Sequence, residues 1–295
     1  MKATISLLML VCLCSLTACA QEMSGNHNHS NAAGASSSPD TNVSQEWAKA
    51  RLAKSPRHQE WVKVKNGTRE VSSFVVYPEN KNKATAVIVI HEIFGMSDWV
   101  QGLTDQLAEA GYVAIAPDLL SGMGPNGGGT SSLTGNAVGQ AIRDLPPDQI
   151  TADLNAVADY IAKVPASNGK IVVTGYCWGG GQSFRYATNN PNLKAAFVFY
   201  GSAPAAADGT PDKAALAKIT APVYGFYAGN DARINATLPK TTEAMTELKK
   251  KYEPVTYEGA GHGFMRAGEA PDANEANKKA RDEAWARWKK ILAGI

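Results

Sequence analysis

Cysteine is scarce in this chain and unevenly placed: Cys12, Cys14 and Cys19 fall within the first twenty residues, leaving Cys177 alone in the other 275 of 295. A disulfide inside the body of the protein is therefore excluded, and a small disulfide-stapled scaffold with it. Charge of one sign is also lacking. The formal net charge is only +2 and there is no basic run, so the sequence carries no electrostatic footprint for nucleic acid or for an acidic polymer. No glycine-rich phosphate loop is present, and His, Cys, Asp and Glu do not gather at metal-ligand spacing, so neither a metal nor any other cofactor is expected. The apolar run Ile5–Leu16 is too short to span a bilayer.

What is there begins with that run. Lys2 followed by Ile5–Leu16 reads as a signal peptide over residues 1–18, and Leu16-Thr17-Ala18-Cys19 resembles the lipobox of bacterial lipoproteins. On that reading Cys19 becomes the lipidated first residue of an exported protein held on the membrane, facing periplasm or exterior. Cleavage after Ala18-Cys19-Ala20, releasing a soluble exported protein, is the alternative. Residues 19–42 are Ser, Asn, Gly and Ala with almost no apolar content and read as a flexible tether, its His27 and His29 being polar spacer.

Residues 43–295 have the apolar content, alternation and length of one large α/β domain. After a short helix over 43–55, the Asn66-Gly67 turn signal predicts a hairpin of 61–65 with 69–77. Continuous apolar runs at 86–90, 112–116, 171–174, 195–200 and 223–227, with 253–257, then alternate with helical patterns at 98–110, 151–164, 182–188, 213–218, 238–251 and 274–292. Thr151 is the expected cap of the second of these helices. Strands that are apolar throughout and separated by helices imply a mainly parallel sheet covered on both faces, with the site at the carboxyl ends of the strands. The Gly-, Ser- and Pro-rich excursion 119–148 breaks the alternation and is expected to be a long rim or lid loop. Trp285, Trp288 and Ile291 on the last helix are read as core.

The stretch Lys170–Gln182, KIVVTGYCWGGGQ, reads as strand, tight turn and helix with Cys177 at the apex. Gly175-Tyr176-Cys177-Trp178-Gly179 has the G-x-S-x-G pattern of a nucleophile elbow with sulfur in place of the serine oxygen. A nucleophile needs a base and the base needs an orienting acid. Asp231 and then His262 follow Cys177 in the nucleophile, acid, histidine order of α/β hydrolases, and Glu92, Cys177, Asp231 and His262 each fall just after an expected strand.

Four segments, HEIFG (91–95), GYCWGG (175–180), GND (229–231) and AGHGFMR (260–266), make the chain similar to the dienelactone hydrolase, or carboxymethylenebutenolidase, family of the α/β-hydrolase superfamily. The resemblance implies the α/β-hydrolase fold and a hydrolase of small esters or lactones working through an acyl-enzyme on Cys177, with Asp231 and His262 completing the triad. It implies that Glu92 contacts the resting thiol, that the backbone N–H groups of Ile93 and Trp178 form the oxyanion hole, and that Arg266 grips a substrate carboxylate. Arg143, in the excursion, is a further carboxylate contact to consider. A thiol beside a carboxylate is discouraged from ionising, which suits a lone thiol in an oxidising compartment. The competing reading is an envelope lipoprotein that uses the fold for binding without catalysis.

Overall fold

The computed structural model describes residues 45–295; Cys19 and the expected signal peptide and tether lie outside the described residues. Among those described, no helix is long and apolar enough to cross a membrane.

Helix α1 (Glu46–Leu52) precedes the hairpin of β1 (Gln59–Asn66) and β2 (Arg69–Val76). The two strands pair antiparallel with Asn66 opposite Arg69, and Gly67 takes the left-handed backbone (φ +59°) that the two-residue turn requires. The next elements are β3 (Ala84–Ile90), α2 (Asp98–Glu109), β4 (Val113–Pro117), α3 (Asn136–Arg143), α4 (Pro147–Lys163), β5 (Ser167–Tyr176), α5 (Trp178–Asn189) and β6 (Ala195–Phe199). They are followed by α6 (Lys213–Leu216), β7 (Val223–Ala228), α7 (Ala232–Asn235), α8 (Leu238–Glu247), β8 (Tyr252–Tyr257), α9 (Phe264–Ala267) and α10 (Glu275–Leu292). The strands form one eight-stranded sheet in the order β1-β2-β4-β3-β5-β6-β7-β8, parallel from β4 to β8 and antiparallel at β1 and β2. This is the mainly parallel α/β-hydrolase sheet expected from the sequence.

Its burial follows from strand geometry. Side chains of successive strand residues leave opposite faces, so Ile88 and Ile90 of β3 enter one core and Val87 and Val89 the other. The first core is closed by α3, α4, α5 and α8 through residues such as Ile142, Leu154, Val157, Phe184 and Met245. The second is closed by α2 and α10 through Trp99, Leu103, Leu107, Ala284 and Trp288. Because both faces are covered, all seven residues of β3 are buried and the strand shows no polar alternation. Trp288 is fully buried as expected, while Trp285 and Ile291 pack at the edge of the core.

Three local expectations are corrected. Helix α4 begins at Pro147, not at Thr151: a proline at the first helical position has its φ preset and loses no hydrogen bond there. Thr151 lies a turn inside, its hydroxyl donating to the Pro147 carbonyl at 3.1 Å. Helix α5 begins at Trp178 and so includes Gly179, Gly180 and Gly181, which pattern reading left outside it. The excursion 119–148 is not one long loop. It carries α3, whose Val138 and Ile142 are buried, and its first half is pinned by Asp118, whose carboxylate accepts from Leu120 N (3.1 Å), Thr130 N (2.8 Å) and the Thr130 hydroxyl (2.8 Å). Thr130 Oγ1 in turn accepts from Met96 N at 3.2 Å, which fastens this rim to the segment after β3.

That bridge predicts the effect of removing one hydroxyl. Thr130→Val keeps the shape but leaves the Met96 N–H and one Asp118 oxygen short of a partner, and unfolding in urea is expected to report a loss of about 1–3 kcal/mol. An unchanged midpoint would mean that the rim is held by its apolar contacts alone.

Candidate active site

Strand β5 ends at Tyr176, and Cys177 turns the chain into α5 with φ 56° and ψ −116°, a backbone that side chains other than glycine rarely adopt. The turn is held from both sides: Cys177 N donates to Phe199 O at 3.1 Å, and Cys177 O accepts from Gly180 N at 3.0 Å. The glycines are there because backbones meet. A Cβ on Gly175 would stand 1.9 Å from Gly179 O, and one on Gly179 would stand 2.4 Å from the carbonyl oxygens of Ile90 and His91. Strand β5 can approach the first turn of α5, and that turn the end of β3, this closely only without those side chains.

Asp231 caps α7, its Oδ1 accepting from Ile234 N at 3.3 Å, while Oδ2 lies 2.5 Å from His262 Nδ1. The loops that carry the two residues are zipped together. Asn230 N donates to Ala260 O, Asn230 Nδ2 donates to Gly259 O, and Gly261 N donates to Asn277 Oδ1 on α10. Asp231 is buried, and the His262 side chain is one-third exposed, reachable by solvent and by a substrate.

Glu92 follows β3 and is 1% exposed. A carboxylate so buried needs a partner, and Arg266 from the one-turn helix α9 supplies it, Nε to Oε2 at 2.7 Å, with the guanidinium carbon 5.0 Å from the Phe94 ring. Burial, and then the Glu92 charge, push the Cys177 thiol up to about 11. The backbone N–H groups of Trp178 and Ile93, which point at the sulfur, and the Arg233 charge act in the opposite direction.

The structure thus brings Cys177, Glu92, Ile93, Trp178 and Arg266 together and hydrogen-bonds Asp231 to His262. The Arg266–Glu92 pair was not legible in the sequence, because neither helix α9 nor the burial of Glu92 has a pattern to announce it. Two further residues escaped sequence reading. Tyr200, at the end of β6 with φ 42°, is buried with its ring 5.1 Å from that of His262 and within electrostatic reach of Cys177 and Glu92. Arg233 stands exposed on α7, two residues past the acid. Its adjacency to GND was the available signal. Arg143, on α3, flanks Gly139 together with the Ile93 side chain and belongs to the same rim. Among the described residues, no group of three or more His, Cys, Asp or Glu could hold a metal ion.

An eight-stranded sheet of this order, with a strained turn at the end of its fifth strand and an acid–histidine pair after the seventh and eighth, defines an α/β hydrolase. Residues 71–295 match the family model described as the dienelactone hydrolase family, and the chain belongs to that family. It is 31% identical over 258 residues to a Saccharolobus solfataricus protein designated a carboxymethylenebutenolidase, covering 77% of this chain and 95% of that one. A protein of the same designation from Salmonella typhi is 34% identical over 205 residues, covering 68% and 74%. The crystal structure of a Klebsiella pneumoniae protein designated a dienelactone hydrolase superposes with a TM-score of 0.70 at 27% identity, over 81% of this chain and 99% of that one. A dienelactone hydrolase-like promiscuous phosphotriesterase from metagenomic libraries shares the fold, with a TM-score of 0.68 at 17% identity over 81% of this chain and 98% of that one. The protein is a carboxylic ester hydrolase of this family.

The thiol's surroundings predict its reactivity. Alkylation of Cys177 by iodoacetamide, followed by peptide mass spectrometry, is expected to rise with pH up to about 11. Glu92→Gln removes the charge that disfavours the thiolate, so its alkylation midpoint should move to lower pH and its rate at pH 8 should increase. An unmoved midpoint would exclude Glu92 as a determinant.

Proposed function

We propose that the protein cleaves a small ester or lactone through a covalent acyl-enzyme on Cys177. The observation that carries this reading is the position of the Cys177 sulfur: at the apex of a strained turn, with the N–H groups of Ile93 and Trp178 directed at it. Asp231 holds Nδ1 of His262, so the neutral ring carries its proton there and offers Nε2 as a base.

In the resting state the sulfur is a thiol, kept so by burial and by the Glu92 carboxylate. An incoming substrate carboxylate competes for Arg266, loosens Glu92 and lets His262 Nε2 take the thiol proton. The thiolate then attacks the substrate carbonyl, forming the C–S bond as the carbonyl electron pair moves to oxygen. The N–H groups of Ile93 and Trp178 take up that charge, each worth about 10²–10³ in rate in comparable sites. Collapse breaks the ester C–O bond, with the leaving oxygen taking the proton from His262. Water, deprotonated by the same ring, then hydrolyses the thioester and regenerates the thiol. Three guanidinium groups around the entrance, from Arg143, Arg233 and Arg266, support a substrate with an anionic group near the scissile carbonyl. We further propose, from the Leu16–Cys19 pattern, that the chain is exported and held on a membrane by lipid on Cys19.

Turnover of dienelactone and of p-nitrophenyl esters by wild type and by Cys177→Ala tests the chemistry, with a loss of at least about 10³-fold expected in the variant. A thioester adduct on the Cys177 peptide should be trapped by acid quench of the wild type. Equal turnover by both proteins would exclude Cys177 as the nucleophile. Radiolabelled palmitate should enter the wild-type chain in its bacterial host and be absent from Cys19→Ala.

A further inference from the structure

Immediately before Glu92 stands a residue for which the proposed chemistry has no use. His91 is fully buried at the end of β3, and its Nε2 has no hydrogen-bond partner. Buried polar atoms are nearly always satisfied, so this ring needs a reason to be there. We propose that His91 is a positioning residue that sets the oxyanion hole, fixing the peptide that presents the Ile93 N–H and bracing the residue that presents the Trp178 N–H. The inference rests on Cys177 being the nucleophile and on those two N–H groups being the oxyanion donors.

The geometry runs from one nitrogen outward. His91 Nδ1 lies 2.9 Å from Glu92 O. A carbonyl oxygen can only accept, so Nδ1 carries the proton and Nε2 is a bare lone pair. Burial works against a second proton on the ring, and it outweighs the nearby Asp118 and Glu92 charges that would favour one. The ring is therefore a neutral imidazole with one fixed tautomer. The peptide joining Glu92 to Ile93 is planar and trans, so its C=O and N–H point in opposite directions. Holding the Glu92 oxygen, by His91 Nδ1–H and by Gly95 N at 3.1 Å, fixes that plane and aims the Ile93 N–H at the sulfur on the other side.

The ring itself reaches the second donor. The His91 and Trp178 rings are stacked, 5.4 Å between centroids and 15° between planes. Trp178 is the first residue of α5 and the owner of the second donor. Behind it the Gly179 backbone is packed against the His91 carbonyl, so the two segments are in contact through main chain as well. One side chain thus ties together two donors that come from different loops. A phenylalanine could stack in its place but could not hold the Glu92 carbonyl, and an asparagine could donate from the Nδ1 position but could not stack.

Steady-state kinetics of wild type, His91→Phe, His91→Asn and Cys177→Ala on one p-nitrophenyl ester and on its thiono analogue tests the assignment. Sulfur is a poor hydrogen-bond acceptor, so the thiono ester draws little from an oxyanion hole. For His91→Phe we expect kcat on the oxo ester to fall about 10²-fold with KM within about threefold, the loss on the thiono ester to be several-fold at most, and His91→Asn to recover at least tenfold over His91→Phe. Equal losses on both esters, a loss confined to KM, or wild-type kinetics in His91→Phe beside an inactive Cys177→Ala would overturn the role of His91 while leaving the nucleophile in place. Turnover surviving in Cys177→Ala would overturn both. A second readout needs no variant: ring ¹⁵N shifts in the wild type should report a neutral His91 protonated at Nδ1 throughout pH 5–8, and a proton on Nε2 would refute the geometry.

Discussion

The left-handed backbone at Cys177 is the constraint on which the site depends. One residue with φ 56° both ends β5 and starts α5, and the sulfur is presented at the sheet edge because of that single turn. Such a conformation costs on the order of 1–3 kcal/mol and persists only where its surroundings over-determine it. Here they do so with backbone rather than side chains. The β6 carbonyl of Phe199 receives the Cys177 N–H, Gly175 lets β5 press against the first turn of α5, Gly179 lets that turn press against the end of β3, and a Cβ on Gly180 would stand 2.4 Å from Phe199 O. The elbow therefore inherits its shape from the parallel pairing of β3, β5 and β6, and damage to that pairing reaches the sulfur before it reaches any other reactive group.

Around the sulfur, two sets of influences oppose one another. Burial and Glu92 favour the thiol, whereas the N–H groups of Trp178 and Ile93 and the Arg233 charge favour the thiolate. The first set prevails, which protects a lone thiol from stray alkylation and oxidation. Yet Glu92 is itself costly to bury and is kept in place by Arg266, a residue still more than a quarter exposed. Breaking that pair frees Glu92 to leave the sulfur, whereas a Glu92 that stayed in place without Arg266 would favour the thiol further.

The layout of the fold was largely legible. Strands buried on both faces announce themselves as apolar runs, as in AVIVI at 86–90, and glycine-flanked turns announce the elbow and the histidine loop. Cys177 and Asp231 could be named as candidates because each follows such a run, and His262 because it stands between glycines after the last expected strand. What could not be read were features whose cause lies in tertiary contact. Helix α3 was hidden in a glycine-rich stretch because it is only eight residues long and is anchored by packing Val138 and Ile142 into the core, a tertiary contact with too few apolar positions to show a period. The glycines of α5 looked like loop because helix propensity disfavours them, and packing against β3 and β6 overrode it. The Glu92–Arg266 pair joins residues 174 positions apart, and no local pattern records that distance.

There is a division of labour between the two kinds of feature. The groups assigned to chemistry stand one to five residues beyond strand ends, on short connections whose backbones are tied to the sheet or to one another: Glu92, Cys177, Asp231 and His262. The arginines proposed to meet a substrate, Arg143, Arg233 and Arg266, sit instead on α3, α7 and α9, small helices appended to those connections. Rigid placement matters for the first group, since a nucleophile and its donors tolerate displacements of only about half an ångström. For Arg143 and Arg233, which are exposed where Arg266 is held by Glu92, reach matters more. If those arginines read the substrate as proposed, its preference is written in the segments between the strands, just where periodicity is weakest, while the residues assigned to hydrolysis stand at the strand ends.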